Sequence, residues 1–155
     1  MNQLNQQILN HWKQLRGMTY DILDQISEND LEKALPFKDS QTLGYQFYCM
    51  TGTIETHVKF LPTGIWDEWN CSLANIENIT KEDIVKAMNK ADERLLEVLE
   101  NTEFLEVKDN ETPLMRYMIL VEHEAHHQGQ IINFIYALNL PIPKSWEKKW
   151  ALSRE

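Results

Sequence analysis

The segment VEHEAHHQGQ, residues 121–130, gathers His123, His126 and His127 within five positions of a chain that has five histidines in all. His123 and His127 are four residues apart. On a helix that spacing leaves them about 40° apart on one face and one turn along, so both imidazoles can reach one ion. This is why His-x-x-x-His recurs in zinc sites. A divalent ion held this way lowers the pKa of a bound water or thiol toward neutrality. His126 lies about 60° from His123 and is given no ligand role.

Two more specific readings use the same residues. His123-Glu124-Ala125-His126-His127 matches the H-E-x-x-H helix of zinc proteases, with Glu124 as general base and a downstream ligand such as Glu147. Those enzymes hold substrate along a strand edge, and nothing before residue 121 reads as one. Glu124 and His127 also fit the Glu-x-x-His of di-iron bundles. That architecture needs a second such pair, and Glu55 and His57 are spaced wrongly for it.

The elements that must position these residues are helical. Glycine and proline number five each in 155 residues, and alternation of β-branched residues is scarce. Leu4, Ile8, Trp12, Leu15, Ile22 and Ile26 share one helix face. Ser27 caps a short turn that Pro36 stops. A second long helix starts near Ser40 or Thr42 and runs to Leu61, with a buried seam of Leu43, Phe47, Met50, Ile54, His57 and Leu61. A long connection follows, anchored by Trp66 and Trp69. Thr80 and Asp83 form a capping box for a third helix, whose inner side runs from Ile84 to Leu99. Thr112-Pro113 opens a fourth that runs to about Leu140. A tail with Trp146 and Trp150 packs back. The expectation is one domain, residues 1–155, all-α, a four-helix bundle with one long crossover loop.

Composition narrows the partners. A net charge of −9 without a basic run excludes nucleic acid and anionic membrane as main partners. No run of about 18 apolar residues is present to span a bilayer. Cys49 and Cys71 make no disulfide framework, and MNQLNQQILNHW lacks the features of a secretory signal; both predict a cytoplasmic protein.

HEAHHQGQI on the last helix of such a bundle resembles the H-x-x-x-H-R-G-Q pattern of the DinB/YfiT-like superfamily. TLGYQFYCMTG on the second long helix is similar to that family's S-x-G-x-Q-L-x-H-x-x-G, and ALNLPIPKSW to its closing segment. The resemblance follows element order along most of the chain, although its motifs span only some thirty residues. It implies a bundle of DinB/YfiT type and a zinc or nickel ion held by one histidine of the second helix and two of the last. It also implies a metal-dependent enzyme acting on a small molecule, either a hydrolase or an S-transferase using a low-molecular-weight thiol, and a homodimer. Carried onto this chain, it makes His123 and His127 ligands and Gln130 the motif's glutamine, with Glu124 and Gln130 as outer partners of the ligands. No catalytic residue is assigned.

Two positions depart from the pattern. Gln128 replaces the usual arginine. Cys49 stands where the second-helix histidine is expected. A thiolate ligates zinc well, but its charge damps Lewis acidity. His57 is the alternative third ligand, since it lies on the apolar seam. The two are about 12 Å apart along a helix, so one ion cannot take both. Gly129 inside a helix costs about 1 kcal/mol against alanine, which predicts a close packing contact or an access point. Glu122, Tyr48 and Tyr117 are further candidates for proton handling or pocket lining. The rival from another class is a non-catalytic bundle whose metal site has decayed, serving as a binding or dimerisation module.

Overall fold

The computed structural model describes residues 2–107 and 110–154. Within them run six helices: α1 (Gln3–Gln25), α2 (Glu28–Leu31), α3 (Leu43–Thr63), α4 (Lys81–Asn101), α5 (Pro113–Ala137) and α6 (Lys144–Trp150). Among the described residues there is no strand, only an isolated bridge between Ala34 and Thr42. Among the described residues, no helix is long and apolar enough to cross a membrane.

The helix starts follow local chemistry. Asn2, Thr42 and Thr112 each accept a hydrogen bond from the amide three residues on, which satisfies an otherwise orphaned donor. Ser27 with Asp30, and Thr80 with Asp83, close reciprocal capping boxes. The ends differ from the sequence expectation. Helix α3 continues past Leu61 to Thr63, because Pro62 forfeits only its own missing amide bond two residues before Gly64 closes the helix at φ 76°. Helix α5 stops at Ala137, three residues short of Leu140. There Asn139 turns left-handed at φ 53°, and the Leu140 amide reaches back to Ile135 O at 2.9 Å. That is a Schellman closure with asparagine in glycine's place.

Helices α1 and α3 each pack against both α4 and α5, so α1 stands opposite α3 and α4 opposite α5. One core cluster gathers Phe47, Met50, Met88, Ile131 and Phe134. The other gathers Trp12, Ile54, Leu61, Leu95 and Leu120. The whole seam expected on α3, His57 included, is buried. Helix α6 covers one side of the bundle. Its Trp146 is fully buried and donates its indole N–H to Met18 O at 2.7 Å. Trp69 of the long connection lies against Gly52, where a Cβ would come within 2.4 Å of the indole. Trp66 stays half exposed but meets the His57 ring edge-on, with centroids 5.8 Å apart.

Candidate functional site

Helix α3 presents Gln46, Met50, Thr53 and His57 at intervals of four, three and four, which is one continuous helical stripe. Helix α5, packed against it, presents His123 and His127. All of these are buried except His123, which is partly so. The two stripes are joined by hydrogen bonds. His127 Nδ1 donates to Gln46 Oε1 at 2.8 Å. His127 Nε2 lies 3.2 Å from His123 Nε2, with the ring centroids 4.5 Å apart. His123 Nε2 in turn lies 3.1 Å from Thr53 Oγ1. The backbone carbonyl of the same Thr53 accepts from His57 Nδ1 at 2.8 Å.

These contacts decide where the imidazole lone pairs are. A ring that donates through Nδ1 keeps Nε2 unprotonated and available. That holds for His127, through Gln46, and for His57, through Thr53. His57 Nε2 is buried and makes no hydrogen bond, an uncommon state for a buried polar atom. The contact between His123 Nε2 and His127 Nε2 has room for a single proton, which His123 must supply.

The electrostatics agree. Burial, followed by the neighbouring His57 and His126, lowers the His123 pKa to about 4. Burial, followed by His123 and His126, lowers that of His127 to about 3. Burial also lowers the pKa of His57. All three rings are neutral at pH 7, the form that ligates metals.

The other expected residues are placed differently. Cys49 is half-buried on α3. Burial raises its thiol pKa, while a hydrogen bond from Tyr45 acts in the opposite sense. Its side chain lines an 830 Å³ groove that also exposes His126, His127 and Gln130. Glu124, expected beside the histidines or in solvent, is fully buried on the face of α5 that meets α1. It accepts from Arg16 Nη1 at 3.1 Å and from Thr19 Oγ1 at 2.5 Å. Burial pulls the Arg16 pKa down, but Glu124 and Asp92 push it higher than burial lowers it, so the guanidinium stays charged. Gln128, one turn along, is also fully buried and donates to Leu15 O at 2.9 Å. Gln130 donates to exposed His126 at 2.7 Å, not to either expected ligand. Gly129 faces open space, with nothing within 4 Å of a Cβ there, so no packing contact explains it. Glu147 is exposed on α6, Tyr117 is buried beside His11, and Glu55 caps the Ser72 amide.

No family model, curated protein or solved structure matches the chain.

Among the described residues, no group of three His, Cys, Asp or Glu side chains stands ready to hold a metal ion. The donor set present is a facing pair of imidazoles with a third imidazole, its Nε2 unpartnered, close enough to His123 to influence its titration. The spacing of the sequence gave no direct sign of Gln46 and Thr53 as orienting residues. The signal was available, because both fall on the helical stripe that leads to His57.

Proposed function

We propose that the chain is a divalent-metal-binding bundle of DinB/YfiT type, an enzyme acting on a small molecule at the end of the groove marked by His127. His123, His127 and His57 hold the ion in this reading, which is zinc or nickel by the softness of three imidazole donors. One observation supports it above the rest: two of the three rings have their Nδ1 protons tied to carbonyl oxygens, Gln46 Oε1 and Thr53 O, which leaves Nε2 unprotonated in both. Metal-ligating histidines are oriented in the same way. A bound ion would supply an activated water or thiol at neutral pH. The chain's own contribution is to keep three imidazoles neutral at the α3–α5 interface and to present His127 to the groove.

His57 is favoured over Cys49 as third ligand because it and His123 both bond Thr53 and its Nε2 lacks any hydrogen-bond partner. A second reading, a non-catalytic bundle with a decayed site, draws on the lack of a complete three-ligand group among the described residues. The test is elemental analysis of tag-free protein together with zinc titration of His57→Ala, Cys49→Ala and His127→Ala. About one zinc or nickel per chain is expected, with affinity reduced by roughly ten-fold or more in the two histidine variants and kept in Cys49→Ala. Metal-free protein that neither binds added zinc nor gains thermal stability from it selects the second reading. Loss confined to Cys49→Ala among the two α3 variants moves the third ligand to the thiol.

A further inference from the structure

The 830 Å³ groove beside His127 falls within the range of small-molecule sites, and its lining is chemically one-sided. Three elements build it: the 35–41 loop, one face of α3 and the second half of α5. Phe37, Tyr45 and Tyr136 are all substantially exposed there and offer ring faces that a ligand could cover. The polar lining is made mostly of side-chain amides, Gln41, Gln46, Gln130 and Asn133. Among the described residues that line it, Asp39 carries the only formal charge, and neither lysine nor arginine takes part. Arg154, which lies over the Tyr136 ring, is bonded to the Ile135 and Leu140 carbonyls. His126 and His127 add neutral imidazoles.

We infer that this groove binds an uncharged ligand carrying an aromatic or acyl body and an amide- or ester-like carbonyl, and that it rejects carboxylates and phosphates. Desolvating an anion costs several kcal/mol unless a cation or several free N–H donors receive it; here Gln46, Gln130 and Asn133 already donate to Thr42 O, His126 and Gly129 O, and Asp39 and a net charge of −9 add repulsion. A neutral carbonyl asks only for one or two donors of the kind side-chain amides provide. Ring faces then supply apolar burial. The inference rests on the proposed function to the extent that His127 marks the reacting end. Its consequence is specific: an acidic thiol bearing several carboxylates is a poor co-substrate for this chain, and a neutral molecule open to hydrolysis or thiol addition is a good one.

Cys49 provides the readout, since it lines the groove while Cys71 is buried outside it. The rate at which N-ethylmaleimide alkylates Cys49, followed by peptide mass mapping, reports on occupancy. The competitors are N-benzylacetamide and phenylacetate, matched in size. Each is used at about 10 mM, because at about 0.3 kcal/mol per heavy atom a fragment of roughly ten atoms binds in the millimolar range. The neutral amide should slow alkylation by about threefold or more, phenylacetate should leave it unchanged, and Phe37→Ala should abolish the protection. Gln130→Arg, on an exposed rim of α5, should admit phenylacetate. Protection by phenylacetate equal to that by the amide overturns the inference, as does absence of protection by the amide. The experiment is run on protein as purified and again with zinc added. Amide protection without zinc binding leaves this inference standing while the metal reading fails, and zinc binding without protection does the reverse.

Discussion

The side-chain carbonyl of Gln46 accepts the Nδ1 proton of His127 across the interface of α3 and α5, and thereby fixes which nitrogen of His127 faces His123. The bond is buried at 2.8 Å, so no water competes for it. Gln46→Leu keeps the volume but leaves the ring free to turn and to carry its proton on Nε2. Zinc affinity should fall by about 10–100-fold, measured by competition with a chromophoric chelator, while the helical circular dichroism is retained. Unchanged affinity in that variant would mean that Gln46 does not orient a ligand.

Acid should loosen this protein earlier than its carboxylates alone would require. The His123 and His127 pKa values, about 4 and about 3 in the fold, lie below the ordinary value of 6.5. An unfolded chain therefore takes up protons first as pH falls below 6.5, and stability is lost progressively down to about pH 3. The stability is fully present above 6.5. Asp30, whose pKa its bonds from Lys33 and Ser27 lower to about 2, adds a separate loss only below 3.8. Urea midpoints measured in metal-free protein should decline between pH 6.5 and 4, and His127→Gln should flatten much of that decline. A midpoint independent of pH over this range counts against a buried neutral pair.

Glu124 is a structural anion. Removing it in Glu124→Ala leaves the buried Arg16 guanidinium with Asp92 alone, and its Nη2 already lacks a partner. A loss of about 3–5 kcal/mol is expected from denaturant titration. Zinc binding by the folded fraction should survive, because the hydrogen bonds of Glu124 go to Arg16 and Thr19 and not to a histidine.

Two glycines should respond oppositely to alanine. Gly129→Ala meets no atom and removes a helix-interior glycine, so it should stabilise by about 0.5–1 kcal/mol. Gly52→Ala drives a methyl into Trp69 and the Cys71 Cβ, and should cost about 1–3 kcal/mol. Thermal melts of the two variants, one raised and one lowered, check both.

The helices were legible because their signals are local. Threonine caps, a proline at the first turn and apolar residues at three-or-four spacing each act within a few residues, and α1, α3, α4 and α5 followed. The ends at Thr63 and Ala137 were missed where Pro62 was tolerated and where Asn139 did the work of a glycine. At the site, His57 on the apolar seam was legible from periodicity alone. Its nearness to His123 was not, since it depends on how far α3 slides along α5. The burial of Glu124 was also hidden. A carboxylate on a helix reads as solvated until a partner such as Arg16, 108 residues away, is brought against it.

Helix α5 is gripped from two sides by different chemistries. Toward α1 it holds Glu124 and Gln128, fastened to Arg16, Thr19 and the Leu15 carbonyl. Toward α3 it holds His123 and His127, fastened to Thr53 and Gln46. A roll of α5 by even a fraction of a turn would break both sets together, so the helix behaves as a keyed shaft rather than a greased one. The aim of the imidazoles is therefore insulated from the 35–41 loop and the exposed rim of the groove. Those parts can change sequence, and with it the molecule they admit, while the histidines stay in register.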